Sequence, residues 1–242
     1  MEKIEKLEMP NTEKNCFAEE NAAFVDVAVY TQGKVLVDMQ YAKQGRAGAI
    51  TVAYLRKEVA DRLLQAATFL PKGYALKIFD AWRPYAVQKS LYDEYFEKIK
   101  ADNPTLTDEE LHARAKTFVS FPDKSKKFAY VHSSGGAVDL TVVDERGREL
   151  DMGTNFDDFS PLAATCALEE GEWESEAKEH RRILYHAMTK AGFTNYPAEW
   201  WHYDYGDIFW GATTGKPVQY ASVYTKEEMI LELGNYVGTV KI

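Results

Sequence analysis

The stretch VHSSGGAVDL, residues Val131–Leu140, predicts a tight loop that leads into a buried strand. Its two adjacent glycines are unfavourable in the middle of a helix and are typical of a turn. In the seven residues AVDLTVV that follow, apolar side chains alternate with other types, as in a strand that is buried on one face. The side chains on that apolar face are Val138, Leu140 and Val142.

A histidine and a carboxylate flank the glycine pair, at His132 and Asp139. The predicted strand places Asp139 on the face opposite its apolar side chains, together with Ala137 and Thr141. A carboxylate in the middle of a buried strand is costly unless a charged partner meets it. A metal ion would be such a partner.

The composition is that of an ordinary globular protein, and it excludes several classes of function. The 242 residues are 45% hydrophobic, 13% aromatic and 28% charged, which is enough for one substantial core. The net charge of -9 argues against nucleic acid as the main partner, because phosphate binding needs a basic surface. Cys16 and Cys166 are too few and too far apart for a disulfide framework or a thiolate metal site.

The chain carries no sign of a membrane span or of a division into several domains. No apolar run is long enough to cross a membrane, and the opening residues MEKIEKLEMPNTEKN lack the apolar core of a signal peptide. The sequence therefore predicts a cytoplasmic protein, or a periplasmic one whose export signal has been removed. Because there is no internal repeat or linker, we expect a loosely held tail at residues 1–20 and a single domain at residues 21–242.

Helices and strands are mixed along the sequence. Apolar alternation predicts strands in AAFVDVAVY, KVLVDMQYA and YALKIFD, and the aromatic segment FTNYPAEWWHYDYGD predicts another. Helical spacing predicts helices in YLRKEVADRLLQAATFL, after Pro84 and from about Glu176 to Ala191. Thr107 and Glu110 form a capping-box pattern, which predicts a further helix that continues through Phe118. The predicted fold class is α+β, with a small, mainly antiparallel sheet flanked by helices and the metal site in a central cleft.

Among the five histidines, His202 is distinctive because Glu199 precedes it by three residues within an aromatic stretch. If the two residues serve one site, Glu199 has to lie in the turn after Pro197, before the strand begins. A buried aromatic strand with one hydrogen-bonded histidine is the alternative that this spacing leaves open. Three further histidines are expected at helix surfaces or helix ends: His112, His180 and His186.

Taken together, these residues fit a hydrolytic metal site. Two histidines and one aspartate would leave the fourth position of a zinc ion open for water, whose pKa the metal lowers to about 7. Glu199 could move the proton of that water without binding the metal. Arg83 could stabilise a developing oxyanion, or it could pair with Asp80, and the two roles are compatible.

The chain resembles the D-alanyl-D-alanine dipeptidases, a family of zinc enzymes that includes the vancomycin-resistance dipeptidases. The resemblance runs over roughly residues 24–207 and is carried by DMQYA, LKIFDAWRP, HSSGGAVDLTV, DMGTNFD, RRILYHAMTKAGF and EWWHYDYGD. It implies one zinc ion per chain, with His132, Asp139 and His202 as the ligands.

The same resemblance assigns the remaining site residues. It implies that Glu199 is the catalytic base and that Arg83 stabilises the transition state. We expect Asp157, Tyr130 and Tyr41 to bind the substrate, with the Asp157 carboxylate receiving the free ammonium group of the dipeptide. A desolvated carboxylate is a direct means of recognising an amino terminus.

Three details of the substrate pocket stay open at this point. Tyr130 stands where the family has a serine, so either the pocket is reshaped or the ring is turned away. The loop after Ala42 reads KQGRAGAI in place of the family's Asn-Phe-Thr-Gly run. Asp158 is adjacent to Asp157, and the motif alone selects which of the two points inward.

The sequence thus predicts a zinc metallopeptidase that hydrolyses D-Ala-D-Ala or a similar small dipeptide. One alternative is a D-alanyl carboxypeptidase acting on peptidoglycan stem peptides, which needs a groove open beyond the ammonium site. Another is a zinc-holding binding module without turnover, which needs neither Glu199 nor Arg83. Since nitrogen and oxygen ligands accept several divalent ions, the choice of zinc rests on ligand type and resemblance.

Overall fold

A computed structural model describes residues 1–18, 22–170 and 175–233, without the side chains of residues 117 and 118. Its α-helices are α1 (Val27–Tyr30), α2 (Gln40–Lys43), α3 (Lys57–Ala67), α4 (Tyr85–Asp102), α5 (Asp108–Phe118), α6 (Glu176–Lys190), α7 (Ile208–Thr214) and α8 (Lys226–Leu231). Its strands are β1 (Phe24–Asp26), β2 (Leu36–Val37), β3 (Tyr54–Arg56), β4 (Ala75–Asp80), β5 (Ala137–Val143), β6 (Thr194–Asn195) and β7 (His202–Asp204). Short 3-10 helices span Thr12–Lys14, Val131–Ser134, Pro161–Ala163 and Ala167–Glu169. This mixture confirms the predicted α+β class.

The central sheet has five strands in the order β2-β4-β5-β7-β6. Among these strands β2 and β4 run parallel, and the other neighbours are antiparallel, so the sheet is mainly antiparallel as predicted. β5 coincides with the predicted strand AVDLTVV and is buried along its whole length. Its side chains Val138, Leu140 and Val142 belong to the main apolar core.

Two groups of helices flank the sheet. α3 and α6 pack on its apolar face, where Leu63 and Leu184 join the main core. α4 and α5 pack against each other around a separate apolar cluster that includes Tyr92 and Leu111. The capping box predicted for α5 is confirmed, because Thr107 and Glu110 hold each other's backbone N–H groups. The helix pair α4–α5 borders the cavity described below.

Two of the predicted strands are much shorter than the sequence indicates. In AAFVDVAVY, β1 ends at Asp26, whose side chain accepts a hydrogen bond from the Val29 amide and starts helix α1. β1 then pairs with β3, at the start of the segment predicted as a long helix, and β2 pairs with β4. The apolar alternation therefore identified extended segments correctly, but the strands with which they pair lie far away in the sequence. The aromatic segment likewise divides into β6 and β7 with a turn between them.

The first residues contact the body of the protein at several points. Ile4 is buried, and its N–H donates to Glu169, while Phe17 forms a bridge with Val218. These contacts hold part of the segment that the sequence predicts to be a loose tail. Residues 19–21 and 234–242 of the predicted tail and domain lie outside the described residues, and the boundary at residue 21 stays a prediction. No helix in the described ranges is long and apolar enough to cross a membrane.

Candidate metal centre and active site

Three potential metal ligands converge at β5, the middle strand of the central sheet. His132 lies in the short 3-10 helix before β5, Asp139 lies within β5, and His202 opens β7. Asp139 is the direct register partner of His202 on one side and of Asp80 on the other. The row formed by Asp80, Asp139 and His202 therefore crosses three neighbouring strands. All three predicted ligands are buried.

The distances between the ligand atoms fit a tetrahedral metal ion. His132 Nε2 lies 3.2 Å from His202 Nδ1 and 3.3 Å from Asp139 Oδ2, and His202 Nδ1 lies 2.9 Å from Asp139 Oδ1. Two nitrogen or oxygen ligands at zinc bond lengths and the tetrahedral angle are about 3.4 Å apart. Within the described residues these three side chains form a group that could hold a metal ion.

Backbone and carboxylate partners orient both imidazole rings. His132 Nδ1 lies 2.8 Å from the Ala81 carbonyl oxygen. Because a carbonyl can only accept, Nδ1 carries the proton and Nε2 is free to bind a metal. His202 Nε2 lies 2.8 Å from Asp204 Oδ1, which leaves Nδ1 facing the other ligands. A second carboxylate behind a metal-binding histidine fixes the ring and raises its basicity.

The charges around His202 favour a positive group at this point. Burial lowers the pKa of His202, but the charges and hydrogen bonds of Asp204 and Asp139 outweigh it and raise the pKa well above its ordinary value. Burial by itself would raise the pKa of Asp139, but the charges and hydrogen bonds of His132 and His202 hold it well below its usual range. The cluster thus stabilises an ionised Asp139, the form that binds a metal.

Arg83 connects the ligand group to the rest of the cavity. Its Nε donates to Asp80 Oδ2 at 2.7 Å and its Nη2 donates to Asp139 Oδ2 at 3.3 Å, while Nη1 donates to Gln88 Oε1 at 2.8 Å. The pairing of Arg83 with Asp80 is thus present, and it does not prevent the guanidinium from lining the cavity. Burial lowers the pKa of Arg83, but the neighbouring tyrosine and carboxylates raise it, so the group stays charged.

Glu199 lies in the turn between β6 and β7, three residues before His202, in the position that the spacing required. Its N–H donates to the Tyr196 carbonyl across the turn, and its Oε2 lies 3.9 Å from His202 Nδ1. Burial, with the charges of Asp139 and Asp157, raises the pKa of Glu199 to about 8, against the opposing effects of His202 and Arg83. The carboxyl group is therefore beside the ligand atoms and able to carry a proton near neutral pH.

One amide side chain holds the turn that carries Glu199 and His202. Asn195 Nδ2 donates to the carbonyl of Glu199 at 3.1 Å and to the carbonyl of His202 at 2.9 Å. Its Oδ1 accepts from the Thr165 hydroxyl at 2.6 Å. The sequence analysis missed Asn195 because its partners are known only once the turn is folded.

Asp157 points into the same cavity from a strained backbone position. Its φ of 60° is unusual for a residue with a side chain, and the Tyr41 hydroxyl donates to its Oδ1 at 3.3 Å. Burial raises the pKa of Asp157 to about 7, with the Asp139 charge acting in the same direction. Asp158 accepts instead from the Ser160 N–H and lines a different pocket, so Asp157 is the carboxylate that faces the ligand group.

The loop that carries Asp157 is held by a buried arginine on α6. Arg181 Nε donates to the Met152 carbonyl at 2.7 Å. Its Nη1 and Nη2 donate to the carbonyls of Ala164 and Leu162 at 2.8 and 2.9 Å. These acceptors lie on both sides of Asp157, so one guanidinium joins the two ends of the loop.

Tyr130 lies in the wall of the cavity. Its ring is buried, and its hydroxyl donates to the Arg83 carbonyl at 2.9 Å. The ring is therefore not turned away from the cavity but lines it. The hydroxyl is committed to the backbone.

The residues singled out from the sequence meet in one small cavity of about 90 Å³. Its lining includes Tyr41, Arg83, Tyr130, His132, Asp139, Asp157, Glu199 and His202. The other three histidines lie outside it and bond to protein groups, as expected for helix-surface histidines: His112 to Tyr92, His180 to the Asp151 carbonyl and His186 to the Glu2 carbonyl. Asp204 was missed, although its position two residues after His202 on one strand face was a usable signal.

Comparison with known proteins finds a family model, sequence relatives and a solved structure to which the chain is similar. The peptidase M15 family model, described as D-ala-D-ala dipeptidase, matches residues 20–223. A D-alanyl-D-alanine dipeptidase of Synechocystis sp. is 30% identical over 174 residues, which cover 64% of this chain and 70% of that protein. One of Enterococcus faecalis is 30% identical over 132 residues, 54% of this chain and 62% of that protein. A crystal structure of the vancomycin resistance D,D-pentapeptidase VanY with Zn(II) gives a TM-score of 0.42 at 18% identity, over 85% of this chain and 93% of that one.

Proposed function

The chain belongs to the D-Ala-D-Ala dipeptidase family of peptidases, and we propose that it hydrolyses D-Ala-D-Ala or a similar small dipeptide with one bound zinc ion. One observation carries this proposal. A buried three-ligand group shares a single small cavity with a carboxyl group of raised pKa, a charged arginine and a second buried carboxylate.

The ligands in this proposal are His132 Nε2, His202 Nδ1 and one carboxylate oxygen of Asp139. Their spacing and their nitrogen and oxygen chemistry suit zinc with one position left open. Zinc held there would supply Lewis acidity, polarising a water molecule and the carbonyl group of the substrate.

Glu199 is the group that moves the proton. Its Oε2 is close to His202 Nδ1, so it adjoins the ligand group without belonging to it. A pKa raised to about 8 in the metal-free protein makes the ionised form of Glu199 a far stronger base than an ordinary glutamate, and that form can accept a proton from water. The protonated carboxyl group can then give the proton to the amine that leaves.

Arg83 stabilises the negative charge that develops on the carbonyl oxygen. Three of its N–H groups are held by Asp80, Gln88 and Asp139, which fixes the plane of the guanidinium before substrate arrives. A fixed charge of this kind needs no reorganisation during the reaction. Each Nη atom has a second hydrogen to offer.

Asp157 receives the ammonium group of the free dipeptide. Its carboxylate is buried, and the Tyr41 hydroxyl holds one of its oxygens. An ammonium group that enters here forms a charge-assisted hydrogen bond and relieves the cost of a buried carboxylate. A peptide extended at its amino end has no such ammonium group at this position, so this contact favours dipeptides.

The test is hydrolysis by the zinc-loaded protein of D-Ala-D-Ala, L-Ala-L-Ala and N-acetyl-D-Ala-D-Ala. We expect cleavage of the free D,D-dipeptide and little cleavage of the acetylated compound. Glu199→Gln should lose activity while it still binds zinc, whereas the exposed Lys98→Met should behave as wild type. Efficient cleavage of the acetylated compound would indicate a carboxypeptidase, and no cleavage of any compound by zinc-loaded protein would refute the proposal.

A further inference from the structure

A free dipeptide carries a carboxylate as well as an ammonium group, and the residues discussed so far leave that carboxylate without a partner. We propose that Lys116, on the last turn of α5, binds the carboxylate of the dipeptide and makes the enzyme select substrates with a free carboxyl end. This inference rests on the proposed function, which it extends by a specificity residue.

Several other side-chain donors of the cavity wall are already bonded to protein groups, and the two remaining Nη hydrogens of Arg83 are those assigned above to the developing oxyanion. Three N–H groups of Arg83 donate to protein acceptors, and the Gln88 amide donates to the Ser120 carbonyl at 2.7 Å. The hydroxyl hydrogens of Tyr41 and Tyr130 are given to Asp157 and to the Arg83 carbonyl. Each phenol has one hydrogen, so neither can donate to a second acceptor.

Lys116 differs from these donors because its ammonium group is available. It lines the cavity and is exposed, and no carboxylate of the described residues lies within ion-pair distance of it. Its Nζ lies 5.6 Å from the centroid of the Phe121 ring, over which the ammonium group rests. By contrast, Lys57 and Lys77 are both paired with carboxylates.

The proposed ammonium site and Lys116 line the same cavity. An ionised Asp157 would repel a carboxylate placed beside it, whereas the ammonium group of Lys116 would attract one. Val119 and Ser120, which follow Lys116 closely in the sequence, line the cavity with it. Lys116 thus offers a carboxylate in this cavity a cation that is not paired with a carboxylate of the described residues.

A purely structural role for Lys116 makes a different prediction. A lysine in the last turn of a helix interacts favourably with the carbonyl end of the helix dipole, and it can rest over an aromatic ring. In that case Lys116 would affect stability without affecting the choice between substrates. The two roles are therefore separated by ligands that differ only in the charge of the carboxyl end.

The experiment compares binding of D-Ala-D-Ala and of D-alanyl-D-alaninamide to the zinc-loaded Glu199→Gln protein, in which the ligand stays intact. We expect the acid to bind about tenfold more tightly than the amide, as for one charge-assisted contact near the surface. Lys116→Met in the same background should abolish this preference, and Lys116→Arg should restore most of it. Lys98→Met, an exposed lysine of α4 outside the cavity, is the control and should keep the full preference.

Two results would overturn the inference. If the preference for the acid is the same with and without Lys116→Met, the metal or Arg83 holds the carboxylate instead. If the parent protein binds acid and amide equally, no residue reads the carboxyl end. The proposed function is tested separately by hydrolysis with the wild-type protein, so a failure of either idea can be recognised.

Discussion

Replacing Asp157 by asparagine should weaken catalysis and strengthen the fold at the same time. The change keeps the shape of the side chain and the hydrogen bond from Tyr41 but removes the charge. Loss of a hydrogen bond to a charged partner costs about 1.5–3 kcal/mol. The value of kcat/KM for D-Ala-D-Ala should therefore fall about 10- to 150-fold.

The stability effect follows from the pKa of the carboxyl group. In the metal-free protein the pKa of Asp157 rises from 3.8 to about 7 on folding, so the folded chain binds this proton more tightly than the unfolded chain. Stability therefore falls as the pH rises through this window, by up to about 4 kcal/mol, and the full cost is present above pH 7. Although the carboxylate faces into the cavity, the residue as a whole is half-buried, so solvent screens part of its charge and we expect about 2 kcal/mol.

Two assays check these effects. Thermal unfolding of chelator-treated protein should show a higher Tm for Asp157→Asn than for wild type at pH 8, and no difference at pH 4. Steady-state kinetics of the zinc enzyme should show that the discrimination between D-Ala-D-Ala and its N-acetyl derivative shrinks by the same factor as kcat/KM. Asp158→Asn is the matched control, because its carboxylate bonds to the Ser160 amide outside the cavity.

The reasoning is refuted if both substrates lose activity equally, because the charge would then act on the reaction and not on the ammonium group. It is also refuted if Asp157→Asn lowers the Tm at pH 8.

Three further predictions follow from the contacts described above. Arg181→Met should reduce the free energy of unfolding by about 3 kcal/mol in urea denaturation, because three carbonyls lose their donor, the Met152 carbonyl in a buried position, and it should raise KM more than it lowers kcat; an unchanged KM would mean that the loop holds its shape without the arginine. Asn195→Ala releases the carbonyls of Glu199 and His202, so we expect lower kcat and weaker zinc binding in a competition assay, and wild-type kcat would contradict its positioning role. Removal of zinc by a chelator should lower the Tm by several degrees, and added zinc should restore it. The reason is that a metal at a hundred times its Kd stabilises the folded state by about 2.7 kcal/mol. A Tm that does not respond to zinc would argue against a metal at this site.

Local sequence patterns predicted the elements whose partners are near in sequence or whose chemistry is distinctive. β5 was identified over its full length, because alternation and a glycine pair both mark it. The α5 capping box involves residues only three apart, and it was also predicted correctly. Glu199 was expected in a turn before β7 because a regular strand could not bring it to the side of His202.

Local sequence patterns could not predict which strands pair when the strands are distant in sequence. A run such as AAFVDVAVY is compatible with a strand or with a short helix. In the structure, Asp26 caps α1, so the strand ends at this residue and a helix begins. The sequence alone also left open whether Asp157 or Asp158 faces the cavity, and whether the Tyr130 ring lines it. The resemblance to a family supplied the first answer, while the second required the hydrogen bond to the Arg83 carbonyl.

Asp80, Asp139 and His202 are register partners, and their alignment limits where residues can be inserted into or deleted from the chain. Successive residues of a strand face opposite sides, so one residue inserted before Asp139 within β5 would turn it into the apolar core and bring Val138 or its neighbour to the metal side. The same insertion in β4 or β7 would displace Asp80 or His202 from the row. Insertions and deletions are therefore expected in the connecting loops, as in the divergent run after Ala42, while the lengths of these three strands stay constant.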